Sequence, residues 1–233
     1  MADSRNGRDA EITIAADEGE VARLVAERLA AQARSGGSIV LTGGSTPRVA
    51  YELAAELEPD WSRAELWWGD ERCVAPEEER SNFGMAKAAL LDRLESGPAV
   101  VHRMRGELGR EAGATEYARE LDDVGTFDLV LLGLGPDGHI ASLFPGFPTL
   151  DVTGPAAIGT EAGFEPFVDR ITLTLPRLCA ARELLFLVAG ERKADAVARA
   201  LTGGPSHETP GSLARAAGGV TRAVVDRAAA AKL

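Results

Sequence analysis

The run Val130-Leu-Leu-Gly-Leu-Gly-Pro-Asp-Gly-His139 ends an apolar stretch in a turn and then presents a histidine two residues after a carboxylate. Neutral imidazole accepts protons near pH 7, so His139, lifted out at the end of a strand, is a candidate general base. Asp137 lies inside the turn signal Pro136-Asp137-Gly138, where an aspartate satisfies local backbone groups. His102 and His207 have no comparable setting. Gly133, Gly135 and Gly138 also spell G-x-G-x-x-G, the pattern of a dinucleotide-binding turn. That reading fails because Pro136 removes a backbone donor from the loop, the motif lies in mid-chain, and no acidic residue ends a second strand about 20 residues later.

A second group of residues suits an anion. In Leu41-Thr-Gly-Gly-Ser-Thr-Pro47, Gly43 and Gly44 let the backbone approach a ligand, while Ser45 and Thr46 add hydroxyl donors. The helix that follows offers unpaired N–H groups and a positive dipole end. The same residues also suit a plain tight turn, with Ser45 or Thr46 as N-cap and Pro47 in the first helical position. Leu66-Trp-Trp-Gly-Asp-Glu-Arg72 ends a strand in three charges, and the planar guanidinium of Arg72 can grip a phosphate or carboxylate with two hydrogen bonds. Arg170 opens the run Arg-Ile-Thr-Leu-Thr-Leu175, and Lys193 closes Val188-Ala-Gly-Glu-Arg-Lys193. Either could be a solvated surface charge; with Arg72 they could equally supply positive charge to one site.

Such local charge would be needed, because 36 acidic against 25 basic residues leave a net charge of −11 over 233 residues. That balance argues against nucleic acid or anionic membrane as partners. A chain of this length buries roughly 70% of its unfolded surface, so no disulfide or structural metal is required for stability. Cys73 and Cys179, without C-x-x-C spacing, read as reduced thiols. The amino-terminal MADSRNGRDAE has no apolar stretch and nothing approaches the ~20 residues of a membrane span, so a cytoplasmic protein is expected.

The elements that would position these residues alternate. Strands are expected at 11–15, 38–41, 65–68, 100–103, 127–134, 170–175, 184–189 and 220–225. Helices are expected after Asp17 to Ser35, from about Pro47, and at 82–94, 110–124 and 191–201. Alternation of this kind implies an α/β fold with a parallel sheet, whose ligands bind beyond the carboxyl ends of the strands. Two glycine- and proline-rich segments, 146–166 and 202–211, read as long loops, and no second domain boundary is evident in 1–233.

The ordered set TGGSTP, WWGDERCV, SNFGMA, GLGPDGHIASLFPG, RITLTLP and VAGERKA resembles the 6-phosphogluconolactonases of the glucosamine-6-phosphate isomerase/6-phosphogluconolactonase family and spans most of the chain. The resemblance implies a modified Rossmann-like three-layer α/β/α domain with a mainly parallel sheet. It implies hydrolysis of 6-phospho-D-glucono-1,5-lactone to 6-phosphogluconate in the oxidative pentose phosphate pathway, without metal or organic cofactor. On it, His139 activates water and Asp137 orients His139 or the substrate. The phosphate lies against Gly43, Gly44, Ser45 and Thr46, with Arg72, Arg170 and Lys193 supplying charge. The expected partner is the small lactone alone, the chain acting as a monomer or weak homodimer.

The sister deaminases resemble A-F-N-E-P-G after the histidine, whereas Ala141-Ser-Leu-Phe-Pro-Gly146 lacks the glutamate that would assist ring opening. A sugar-phosphate sensor without activity would be expected to carry a helix-turn-helix segment, and none is seen.

Overall fold

The structure, a computed structural model, describes residues 10–233. The amino-terminal stretch read above for its lack of apolar residues lies, up to residue 9, outside them.

Asp17 caps the first helix by accepting a hydrogen bond from the Glu20 N–H, and Val21, Val25, Leu29 and Ala33 recur every fourth residue to form its buried face. The chain runs β1 (Glu11–Ala15), α1 (Glu18–Ser35), β2 (Gly37–Leu41), α2 (Ser45–Leu57), β3 (Ala64–Trp68), β4 (Asp70–Arg72), α3 (Asn82–Ala89), β5 (Val100–Val101), α4 (Arg110–Glu120) and β6 (Phe127–Leu132). It continues through β7 (Ala157–Thr160), β8 (Arg170–Leu173), α5 (Leu175–Cys179), β9 (Ala181–Val188), α6 (Ala194–Leu201) and β10 (Val220–Asp226).

Seven strands form one sheet in the order β1-β10-β9-β6-β2-β3-β5, with every pair parallel. The chain first builds outward through β2, β3 and β5, then returns to the other side of β2 and builds β6, β9 and β10. The strand order therefore reverses between β2 and β6, the position where open α/β sheets bind ligands. These central strands are continuous apolar runs, as burial on both faces requires: Leu129 to Leu132 of β6 are fully enclosed. Helices cover the sheet, α1 packing on α2 and across β10 and β9, and α5 against β9, which gives the α/β layering expected.

Several expectations are corrected in detail. The charged segment after Trp68 is strand β4, which pairs antiparallel with β8, and β8 pairs with β7 in a small second sheet. The run from Arg170 is thus outside the parallel sheet, and β7 lies inside the segment read as loop. The second helix begins at Ser45 with Gly44 as N-cap, at φ 124°, so neither Ser45 nor Thr46 is the cap and Pro47 stands third. Helices α3 and α4 stop at Ala89 and Glu120, before the expected ends, and 191–193 form a single 3-10 turn before α6.

Where β2 and β3 leave the ladder, their last backbone groups need partners inside the core. Tyr51 meets this need at Thr42: its hydroxyl accepts from the Thr42 N–H (2.9 Å) and donates to the Thr42 carbonyl (2.8 Å). Tyr117 does the same at Trp68, accepting from the N–H at 2.9 Å and donating to the carbonyl at 3.2 Å. Both side chains are fully buried, and burial pushes both hydroxyls above the usual tyrosine range, which keeps them protonated as donors. Removing either hydroxyl strands two buried backbone groups. Tyr51→Phe and Tyr117→Phe should each lower stability by about 1–3 kcal/mol, read as a lower midpoint in chemical denaturation with an unchanged slope.

Candidate active site

A cleft of about 450 Å³ opens along the carboxyl edge of β9, β6, β2 and β3, the four adjacent central strands. Its wall includes Gly43, Gly44, Ser45, Thr46, Arg72, His139, Arg170 and Lys193, eight of the nine residues singled out from the sequence. The ninth, Asp137, stands behind His139.

After β6 the chain folds back on itself: Gly135 N–H donates to the His139 carbonyl (2.8 Å) and Gly138 N–H to the Gly135 carbonyl (3.0 Å). This turn brings the Asp137 carboxylate to 2.6 Å from His139 Nδ1, while the same oxygen accepts the His139 N–H at 3.2 Å. Burial alone would push the Asp137 carboxyl up, but the hydrogen bonds and charge of His139 outweigh it and hold the carboxyl below its usual value. An ionised carboxylate only accepts, so Nδ1 carries the proton and Nε2 is left as the basic nitrogen. The imidazole lies between Phe144 and Phe164, with ring centroids 5.1 and 5.3 Å away. Beyond it, Ala141 adopts φ 46° and turns the chain so that buried Ser142 donates to Asp70 at 2.6 Å.

Across the cleft, the N–H groups of Ser45 and Thr46 open α2 without intrahelical acceptors. The Thr46 hydroxyl is committed to Glu18 (2.8 Å), while Ser45 is exposed. Next to this turn, Arg72 of β4 and Arg170 of β8 are direct partners in the antiparallel register. Like charges placed opposite each other are destabilising unless something neutralises them. Asp70 and Glu71 contribute: Asp70 is held by Ser142 and Asn82, and Glu71 accepts from the N–H groups of Arg72, Asn82 and Phe83 and from Ser81. Burial nevertheless pushes the Glu71 carboxyl up against those four hydrogen bonds. Arg72 donates one nitrogen to the Arg80 carbonyl (2.6 Å), and its Nε is buried with no acceptor among the described residues. A buried donor without a protein acceptor calls for a partner, and Arg72 is part of the cleft wall.

Arg170 is nearly fully buried and lines the cleft; its Nε and Nη2 donate to the carbonyls of Val168, Phe164 and Pro166, which leaves Nη1 outside these bonds. Lys193 donates to the Leu134 carbonyl at 2.6 Å, which ties the 3-10 turn after β9 to the loop bearing His139. Desolvation lowers the Lys193 pKa, with Asp137 opposing and Arg192 reinforcing the shift. That turn is fixed in its own right by Asp226, whose carboxylate accepts the Gly190 N–H at the end of β10.

Sequence reasoning missed several wall residues. Arg192 is exposed on the rim beside Lys193, and its only signal was adjacency. Asp70 and Asn82 sat in quoted motifs without an assigned role, and Glu18 and Phe164 carried no signal. The lining holds four basic side chains (Arg72, Arg170, Arg192, Lys193) and four acidic ones (Glu18, Asp70, Glu165, Glu191), a local balance within a chain of net charge −11. Among the described residues no group of three His, Cys, Asp or Glu side chains is placed to hold a metal ion.

This arrangement sets an oriented imidazole across a cleft from a helix N-terminus and basic side chains, and known proteins share its frame. The model of the family described as glucosamine-6-phosphate isomerases/6-phosphogluconolactonase matches residues 13–223. A 6-phosphogluconolactonase of Streptomyces coelicolor is 41% identical over 93% of this chain and 90% of its own length. One from Mycobacterium leprae is 40% identical over 88% of each chain. The crystal structure of a 6-phosphogluconolactonase from Thermotoga maritima superposes with a TM-score of 0.83 at 28% identity, over 94% of this chain and all of that one. The chain belongs to the glucosamine-6-phosphate isomerase/6-phosphogluconolactonase family.

Proposed function

We propose that the protein is a 6-phosphogluconolactonase, hydrolysing 6-phospho-D-glucono-1,5-lactone to 6-phosphogluconate in the oxidative pentose phosphate pathway. The observation that carries the mechanism is the 2.6 Å contact between Asp137 and His139 Nδ1 on the cleft wall. In this reading Nε2 removes a proton from water as the water oxygen adds to the lactone carbonyl carbon. The tetrahedral intermediate then collapses: the bond from the carbonyl carbon to the ring oxygen breaks, and the departing ring oxygen takes the proton back from the imidazolium. Water is thereby divided between the new carboxyl group and the new hydroxyl, and His139 returns to its starting state. Asp137 stabilises the transient imidazolium and keeps the productive tautomer.

The phosphate is assigned to the turn of Gly43, Gly44, Ser45 and Thr46, with Arg72 as its principal side-chain donor and Arg170, Arg192 and Lys193 adding charge. Helix N-termini bind such groups through free N–H groups and the helix dipole. In 141–146 the residues that reach the wall are Ala141 and Phe144, neither of them a carboxylate, which supports lactone opening over amine release.

The first test is the decay of freshly generated lactone with and without the protein, since the lactone also hydrolyses unaided. Acceleration is expected; its absence refutes the assignment. His139→Ala should lower kcat roughly 10²- to 10⁴-fold while leaving affinity for 6-phosphogluconate near the wild-type value. Asp137→Asn should lower kcat with little change in KM, and wild-type turnover in both variants would remove the pair from the mechanism. A cation whose pKa is depressed loses its charge at lower pH than a free lysine. Calorimetric titration with 6-phosphogluconate should therefore weaken as pH rises toward the lysine range, and Lys193→Met should flatten that decline.

A further inference from the structure

The segment between β7 and β8, residues 161–169, borders the cleft with no ladder pairing of its own, and arginines pin it at both ends. Arg110 at the start of α4 lies 3.3 Å from both Glu161 and Asp169, the first and last residues of the segment. Within the segment, Arg170 Nε donates to the Val168 carbonyl (3.0 Å), and Nη2 to the carbonyls of Pro166 (2.7 Å) and Phe164 (3.2 Å). Gly163 lies flat on Phe144, where a Cβ would overlap the ring. The result of this fixation is Phe164. Its ring borders the cleft at 43° to the His139 imidazole and keeps 38% of its surface exposed. Phe164 thus presents a fixed apolar face on the cleft wall beside His139.

We propose that Phe164 is a specificity-determining residue that packs against the ring face of the lactone. The proposal rests on the lactonase reading above and deepens it. A six-membered lactone is flattened at its ester group and offers C–H bonds on its face, a surface an aromatic ring covers well. The open-chain product has lost that face. The contact therefore favours substrate over product while persisting through water addition, and binding shared by ground and transition states appears in KM rather than kcat.

Phe164→Ala, at a partly exposed position, should raise KM for the lactone about three- to tenfold, the size of an aromatic contact. It should leave kcat within about twofold and the inhibition constant of 6-phosphogluconate unchanged, and Phe164→Tyr should retain the wild-type KM. An unchanged KM in Phe164→Ala, or an equal loss of product affinity, overturns the role of Phe164. A wild-type protein that does not accelerate lactone decay removes the reading itself, and this proposal with it.

Discussion

Every strand of the seven-stranded sheet runs in the same direction, so each loop that follows one opens on the same edge. The reversal of order between β2 and β6 then parts the adjacent loops and leaves a cleft where no helix can cover them. Residues from 54 to 150 positions apart meet there for that reason: the turn after β2, the histidine after β6 and the lysine after β9. The cost of this geometry is that each strand end abandons backbone hydrogen bonds inside the core. Tyr51 and Tyr117 restore them at β2 and β3, and they make the edge rigid where the ligand-facing loops begin.

The second constraint is charge. In a chain of net charge −11, the small antiparallel sheet sets Arg72 opposite Arg170. A buried and a half-buried guanidinium in register would repel each other, yet complete neutralisation would leave nothing for a ligand. The structure stands between these limits. Asp70 and Glu71 are nearby, but each carboxylate is occupied by hydroxyl, amide or backbone donors rather than by a direct ion pair with either arginine. Glu71 in particular fastens β4 to the start of α3 through the N–H groups of Asn82 and Phe83. The residue beside Arg72 therefore acts on the site through the backbone, although the sequence shows only a run of three charges.

What the sequence made legible follows from the range of the interactions involved. Strands β2, β6, β9 and β10 are apolar runs whose burial is written in their own residues, and Asp17 caps α1 through a contact three residues away. By contrast, Ala157–Thr160 is a strand only because β8 is beside it; Ala-Ile-Gly-Thr among glycines and prolines has no strand pattern of its own. The site divides similarly. His139 and Asp137 lie two residues apart, so their pairing was within reach of the sequence. The partners of Arg170 are carbonyl oxygens, which every residue has, and no side-chain pattern announces which of them a guanidinium will find.

The glycines around His139 carry this argument one step further. Gly133, Gly135 and Gly138 have the spacing of a dinucleotide-binding turn, but here each answers to a different neighbour. At Gly135 a Cβ would occupy the space of the His139 ring and the Asp137 carboxylate, so the absence of a side chain is what allows the two to pair. Gly138, at φ 99°, lies against Thr209, and its carbonyl accepts the Gly211 N–H, which fastens the 202–211 segment beneath the site. Gly133 has no close neighbour that forbids a side chain. A shared spacing thus conceals distinct physical causes. The position most tightly required in this loop is the one where two side chains meet over the backbone, so its glycine serves the pairing of Asp137 with His139 rather than the approach of a pyrophosphate.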